Sequence, residues 1–439
     1  MEELLYGRRL LRQELPAEFV PPQQVEEMAT MTIQDHDVRC LRCNTVTNKT
    51  EALLPRGQFF CPQCLTLGRV STLASFYHLP EPNQFPSDLQ PLTWEGTLSP
   101  LQEACAREVD QCLAHHQEHL LWAVTGAGKT EMLFRALAAA IRRGERLALA
   151  SPRVDVCLEL YPRLQRAFGH QQICLLHGRQ TEPYTYRQLT ICTTHQLLRF
   201  YHAFDNLIVD EVDAFPYASN PQLYFATQQA IKPDGGCLYL TATPGKALLQ
   251  RVRRKQLTIS YLPLRYHGHL LPEIKVRLVP KWRTKLGRQR LPQSLIGAMK
   301  KRLNSHQRFL LFVPHVADLA PIQTVLERQL GIPVTTVHAA DDHRLAKVQA
   351  MRDEQIDFLV TTSILERGVT FPEIDVLVLG ADDAVFSTAA LVQIAGRAGR
   401  SVSRPTGDVL FWVGSAAKNV TGAQQQIKFV NRKGRRLQR

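Results

Sequence analysis

The chain has 439 residues, 44% hydrophobic and 21% charged, the balance of a soluble globular protein large enough for two or three cored domains. No apolar run approaches the roughly 20 residues needed to cross a bilayer. The N-terminal MEELLYGRRLLRQELP carries acids unlike a secretory leader, so an intracellular protein is expected. A formal net charge of +13 favours polyanionic partners, nucleic acid or an anionic membrane face, without deciding between them.

Residues 1–35 read as an arm, with Arg8, Arg9 and Arg12 ahead of the pair Pro21-Pro22. Cys40-Leu-Arg-Cys43 and Cys61-Pro-Gln-Cys64 then form two CxxC pairs at zinc-ribbon separation. Two tight knuckles place four thiolates around one Zn²⁺ and close a loop too small to fold by burial alone. Four protein ligands leave no open position, which makes the expected metal structural, and 36–92 is expected as a zinc-binding domain. Arg39, Arg42, Lys49, Arg56 and Arg69 add modest positive charge, leaving an architectural ribbon and a DNA-gripping one both open. The other cysteines, Cys105, Cys112, Cys157, Cys174, Cys192 and Cys237, read as small core residues.

A Pro-rich linker over 79–100 leads to Ser99-Pro100, a helix start with Ser99 as N-cap. Next comes the apolar run Leu120–Val124, then Thr125-Gly126-Ala127-Gly128-Lys129-Thr130 and a helical pattern. Strand, glycine loop and helix is the setting of a phosphate-binding loop, here with Ala123 where the strict pattern has Gly. The glycines let backbone N–H groups face the phosphates, Lys129 reaches the β- and γ-phosphates, and Thr130 holds Mg²⁺. Short apolar runs at 146–150, 172–176, 189–193, 207–210 and 237–241 predict a parallel sheet over 93–262, with function at the strands' carboxyl ends. At one such end Asp210-Glu211 follows an apolar strand, suited to holding Mg²⁺ through water and to polarising the attacking water. At another, the hydroxyls of Thr241 and Thr243 are placed to connect a nucleotide site to a bound strand.

The segment 246–308 holds many cations and one acid, Glu273. Trp282 amid Lys281, Arg283, Lys285, Arg288 and Arg290 reads either as an aromatic stacking on a base among phosphate-binding cations or as a solvated linker. Apolar runs at 308–313, 334–337, 358–362, 376–380 and 408–413 predict a second sheet domain over 263–414 without a phosphate loop. Gln393-Ile-Ala-Gly-Arg397-Ala-Gly-Arg400 puts two arginines three apart on one helical face, as arginine fingers toward a triphosphate on the neighbouring domain. The tail 415–439, with Lys418, Lys428, Arg432, Lys433, Arg435, Arg436 and Arg439 and no acid from Ala416 on, is expected to be flexible and drawn to polyanions. The fold class is therefore α/β: two RecA-like parallel-sheet domains in tandem, preceded by a small four-cysteine zinc domain.

With these motifs in this order, 93–414 resembles the superfamily 2 helicases and translocases. The resemblance gives Gln102 adenine recognition, assigns Thr125 to Thr130 to the nucleotide, and makes Asp210-Glu211 the catalytic element. It places Arg153, Thr194, Thr241, Thr243, Thr362, Arg367 and Gln393 at strand contact or coupling, with Arg397 and Arg400 in the last motif. The ribbon ahead of the motor, the Asp210-Glu-Val-Asp213 form and Ile364-Leu-Glu-Arg-Gly-Val-Thr-Phe-Pro372 look like the ComFA family. The motor is also similar to PriA, whose zinc cysteines interrupt its second motor domain. What the ComFA resemblance implies is a cytoplasmic ATPase at the inner face of the membrane, pulling single-stranded DNA through the uptake channel during bacterial transformation. It further implies ATP, Mg²⁺ and Zn²⁺ as cofactors, ComFC, DprA and the channel as partners, and leaves a homo-oligomer open. The residues alone carry Mg-ATP hydrolysis by two facing domains on a basic surface. They leave a PriA-like restart helicase, an RNA remodeller and a non-enzymatic zinc DNA-binding scaffold as rivals.

Overall fold

Alternation of short apolar strands with helices builds two parallel sheets, described by a computed structural model over residues 1–178, 180 and 182–438. Arg439 of the expected basic tail lies outside the described residues. The chain divides into two units: Met1–Trp122 with Lys129–Tyr261, and Ala123–Gly128 with Leu262–Arg439.

The first sheet contains β1 (Glu118–Ala123), β2 (Leu147–Ser151), β3 (Ile173–Leu176), β4 (Leu189–Thr193), β5 (Phe204–Asp210), β6 (Ile231–Thr241) and β7 (Thr258–Leu262). Their order is β3-β4-β2-β5-β6-β1-β7, and the neighbours from β3 to β1 pair parallel. β2 and β4 are buried along their whole length, as strands covered on both faces must be. The helices are α1 (Pro100–Ala114), α2 (Lys129–Arg142), α3 (Val154–Ala167), α4 (Pro221–Ala230) and α5 (Lys246–Arg253). α1 starts where the sequence predicts, with a capping box: Ser99 Oγ accepts from the Gln102 N–H, and Gln102 Oε1 accepts from the Ser99 N–H.

The arm, the ribbon and this sheet form one unit. Leu10–Leu11 pairs antiparallel with Ser75–His78, which pairs with Glu26–Ala29. Glu14 accepts from Arg42, and from Arg199 Nε at 2.8 Å. The Arg9 guanidinium lies 3.2 Å from the Tyr201 ring centroid. Arg146, fully buried, pairs with Glu81 and donates to Tyr184 Oη at 2.6 Å. Arg8, Arg9 and Arg42 are buried too, so two of the arm's three cations and one of the ribbon's five hold the unit together instead of facing a polyanion, while Arg12, Arg56 and Arg69 are exposed. The Pro-rich stretch after residue 79 is likewise tied down, through Asn83 to Asp205 and Gln171 to Asp88.

The second sheet holds β8 (Ile274–Leu278), β9 (Phe309–Phe312), β10 (Thr336–Val337), β11 (Phe358–Thr361), β12 (Asp375–Leu379) and β13 (Val409–Val413). Its order is β8-β13-β12-β9-β11-β10, with every pair parallel. Its helices are α6 (Trp282–Gly287), α7 (Gln293–Asn304), α8 (Val316–Leu330), α9 (Arg344–Arg352), α10 (Thr388–Ala395) and α11 (Lys418–Leu437). Two expectations are corrected here. Trp282 is buried in this unit's core, with Arg283 over its ring and bound to Asp318 and Asp383, so it is not an exposed stacking platform. The tail is an ordered helix, α11, because Val420, Ala423, Ile427 and Val430 recur at helical spacing and are buried. Among the described residues no helix is long and apolar enough to cross a membrane.

Candidate nucleotide and metal sites

Each motif lies where a strand or helix end fixes its backbone. In the first unit Lys129 opens α2, and its ammonium donates to Asp210 Oδ1 at 3.1 Å, the carboxylate ending β5. The same oxygen accepts from the Glu211 N–H at 2.9 Å. Glu211 has φ +57°, a left-handed backbone that a side-chain-bearing residue adopts only under constraint. Thr130 is buried beside Lys129 on α2. Two residues past Glu211, Asp213 accepts from Thr241 Oγ1 at 2.6 Å and from the Thr243 hydroxyl, while the Thr243 N–H donates to Thr241 Oγ1 at 2.9 Å. The acidic turn after β5 and the threonine turn after β6 are thus one hydrogen-bonded piece. Asp213 was not among the site residues expected from sequence; the third acid of Asp210-Glu-Val-Asp213 was the available signal.

In the second unit Gly126 (φ +77°) and Gly128 (φ +74°) take the left-handed backbone that lets a phosphate-binding loop turn its N–H groups inward. Ala127 N–H donates to the Val124 carbonyl at 3.2 Å, and Gly126's carbonyl accepts from the Tyr266 N–H at 2.9 Å. Thr125 Oγ1 is buried and has no hydrogen-bond partner among the described residues. Gln393 is buried on α10. The helical face expected to carry both arginines ends before them: α10 stops at Ala395, and Gly399 and Arg400 both have positive φ. Arg397 and Arg400 therefore leave a non-helical turn. Arg397 Nε donates to the Glu366 carbonyl at 3.0 Å and is 2% exposed; Arg400 Nε donates to the Gly396 carbonyl at 3.0 Å and is half-buried.

Gln102 is held in the α1 capping box. Arg153 is the N-cap of α3 and half-exposed, whereas Thr194, Thr362 and Arg367 are buried. Thr194 is fully enclosed, so a direct strand contact by its side chain does not fit its place.

The metal motif is closed. Cys40, Cys43, Cys61 and Cys64 are all buried, with sulfurs mutually within 4.8 Å. Cys40 Sγ lies 3.9 Å from Cys64 Sγ, and Cys43 Sγ lies 3.6 Å from Cys61 Sγ. Hydrogen bonding from Cys40, then Cys61 and Cys64, drives the Cys43 thiol well below the ordinary range. Four buried sulfur donors around one point fit a structural zinc, with no side for a substrate. The six remaining cysteines are buried and free, as core residues. Apparent zinc-binding free energy in such small sites is on the order of 10 kcal/mol, and it is folding free energy. Cys43→Ser is accordingly expected to abolish stoichiometric zinc in the purified protein. It should also open residues 36–75 to hydrogen exchange while the second unit stays protected. Unchanged zinc content would refute the site.

Residues 1–78 match the competence protein ComFA N-terminal domain, 95–246 the type III restriction enzyme res subunit, and 289–402 the helicase conserved C-terminal domain. The sequence is 39% identical to the competence protein ComFA of Streptococcus pneumoniae (strain ATCC BAA-255 / R6), over 97% of each chain. It is 37% identical to the competence protein ComFA of Bacillus subtilis (strain 168), over 98% of this chain and 95% of that one. Among solved structures, S. cerevisiae Dbp5 bound to RNA and ADP BeF3 has TM-score 0.56 at 15% identity, covering 76% of this chain and 88% of that one. Mycobacterium smegmatis helicase Lhr bound to ssDNA and AMP-PNP has TM-score 0.55 at 19% identity, covering 77% and 48%. These structural likenesses establish the fold: two RecA-like parallel-sheet domains.

Proposed function

Because the chain belongs to the ComFA family of competence proteins, we propose that it is an ATP-driven translocase for single-stranded DNA, working in uptake during transformation. The carrying observation is the Lys129–Asp210 pair, 3.1 Å apart, beside the Asp213–Thr241–Thr243 cluster. A cation and a carboxylate that neutralise each other without ligand are the groups needed for a phosphate chain and its Mg²⁺. Mg²⁺, when bound, would supply charge neutralisation on the phosphates. Lys129, Thr125 to Gly128 and Thr130 hold the nucleotide, Asp210 the metal, and Glu211 orients the attacking water. Gln102, its amide fixed by the capping box, reads the adenine edge. Arg397 and Arg400 supply positive charge to the phosphates as hydrolysis proceeds.

Coupling follows from the hydrogen bonds behind Glu211. A change at Asp210-Glu211 reaches Thr241 and Thr243 through Asp213, so these threonines, with Thr194, Thr362, Arg367 and Gln393, act behind the surface. Arg153 is the one of this set that is left half-exposed to touch a strand. The proposed organisation is a zinc-binding domain over 36–92 and two motor domains over 93–262 and 263–414, in a cytoplasmic protein held against the membrane. ComFC, DprA and the uptake channel are the proposed partners.

The test is ATP hydrolysis without nucleic acid and with single-stranded DNA, duplex DNA or single-stranded RNA, at one fixed salt concentration because phosphate contacts are salt-dependent. Stimulation by single-stranded DNA of about tenfold or more is expected, a difference worth roughly 1.4 kcal/mol in barrier. Equal stimulation by RNA would replace this reading with an RNA remodeller. Unwinding of a forked duplex would favour a PriA-like helicase. Absence of hydrolysis with every polymer would leave a zinc DNA-binding scaffold.

A further inference from the structure

The most unusual charge in the second unit belongs to none of the recognised motifs. Arg265 lies just after β7, in the loop Leu262-Pro-Leu-Arg-Tyr-His-Gly-His269. A tight turn fixes its backbone: its N–H donates to the His269 carbonyl at 3.0 Å, and its carbonyl accepts from the Gly268 N–H at 2.8 Å. The side chain is 2% exposed, yet its partners among the described residues are all neutral. One terminal nitrogen donates to the Ala398 carbonyl at 2.8 Å and the Pro405 carbonyl at 3.2 Å, the other to the Gly396 carbonyl at 3.1 Å. Nε has no partner among the described residues. Burial first, then the neighbouring Arg400, brings the guanidinium down to about 9. A buried cation without a carboxylate is a costly element to keep.

Two of its three acceptors, the Gly396 and Ala398 carbonyls, lie in the turn between α10 and Arg400, and the third, the Pro405 carbonyl, lies just beyond it. Gly396 also accepts from Arg400 Nε, so one carbonyl joins both arginines. That turn is packed against the phosphate loop. A methyl group built on Gly396 would sit 1.8 Å from Thr125 Oγ1, and one on Gly126 would be 3.8 Å from Arg265 Cγ and 3.9 Å from Arg400 Cγ. The next residue adds two links, Tyr266 N–H to the Gly126 carbonyl at 2.9 Å and Tyr266 Oη to the Arg400 carbonyl at 3.5 Å. One short loop thus grips the phosphate loop by its backbone and the Arg400 turn by a guanidinium.

We propose that Arg265 is a positioning residue for Arg400: its guanidinium splints the 396–400 turn so that Arg400 is presented to the terminal phosphate of the nucleotide. The inference rests on the ATPase reading above. The splint explains how Arg400 keeps a defined direction although it leaves a non-helical turn. It also explains a cation with only neutral partners, since an anionic one would compete with the nucleotide for Arg400. Arg265 itself acts through carbonyl groups and needs no contact with the phosphates.

The test is a double-mutant cycle in the full chain with Arg265→Lys, Arg400→Lys and both together. A lysine keeps the charge but cannot span three carbonyls in a plane. Each single variant is expected to lower kcat by on the order of 10²-fold, the cost of misplacing a catalytic group by about 1 Å. The double variant should be no slower than the slower single one, because residues acting as one unit are not additive. Fluorescent mant-ADP and mant-AMP-PNP supply a readout independent of turnover. Arg265→Lys should bind mant-ADP within about twofold of wild type and lose the wild-type preference for mant-AMP-PNP, as Arg400→Lys does. Wild-type kcat in Arg265→Lys, multiplicative losses in the double variant, or weakened mant-ADP binding would each overturn the proposal. If Arg265→Lys fails to fold, Arg265→Gln, which removes the buried charge and keeps an amide donor, is scored by the same cycle. If the wild type hydrolyses no ATP, the functional reading fails by itself, and the mant-nucleotide preference still decides the splint.

Discussion

Lys129→Ala is expected to lower kcat/KM for ATP by on the order of 10³-fold, the scale of removing a cation from a phosphoryl-transfer site. The side chain is only 18% exposed and its ammonium is 3.1 Å from Asp210 Oδ1. Its loss therefore acts twice. The phosphates lose the side-chain cation proposed for them, and among the described residues Asp210 keeps only the Glu211 N–H as a donor. Helix α2 should persist, since alanine is the best helix former and the loop glycines before it are untouched. Circular dichroism should therefore match wild type while mant-nucleotide affinity drops with turnover. Turnover within tenfold of wild type would remove Lys129 from the nucleotide site.

What the sequence made readable was local chemistry with fixed spacing. The cysteine pairs, the glycine loop with Lys129 and the Asp210-Glu211 strand end each need only a few consecutive residues, because a strand or helix end sets the geometry. Most strands of both sheets were readable for the same reason, as short buried apolar runs; the edge strands β7 and β8 were not, because they carry exposed residues and lie in the cation-rich 246–308 segment. What was not readable depended on which way a side chain turns. Trp282 among five cations has one composition whether it faces a base or the core, and only Asp318 and Asp383, far along the chain, settle that Arg283 is held inward over it. The tail's cations masked the apolar spacing that makes α11 a packed helix. Arg397 and Arg400 fit a helical period, but the helix ends at Ala395 with Gly396 as its cap, and the positive φ at Gly399 and Arg400 was the decisive detail. Arg8, Arg42 and Arg146 counted toward a basic protein, yet their charge is spent inside the fold against Glu14, Glu81 and aromatic rings. The net charge of +13 therefore overstates what reaches the surface.

Glu211→Gln should separate the two halves of the reaction that Lys129→Ala removes together. Glu211 stands at φ +57°, a strain of about 1–3 kcal/mol for a residue with a side chain. Two backbone bonds hold it there: its N–H donates to Asp210 Oδ1 at 2.9 Å, and its carbonyl accepts from the Ala214 N–H at 2.8 Å. Glutamine has the same shape, so the strained turn, the Lys129–Asp210 pair and the Asp213–Thr241–Thr243 cluster should all survive. What disappears is the carboxylate charge proposed to polarise the attacking water, worth on the order of 10³-fold in general-base catalysis. The variant is thus expected to bind ATP as tightly as wild type and hold it unhydrolysed, at about one nucleotide per chain after rapid desalting. Single-stranded DNA should remain bound with it, because the cluster linking the acidic and threonine turns is intact. Wild-type turnover would show that another group orients the water. Loss of ATP binding along with turnover would place Glu211 in holding the nucleotide, and the strained backbone at this position would then serve binding and not the chemical step.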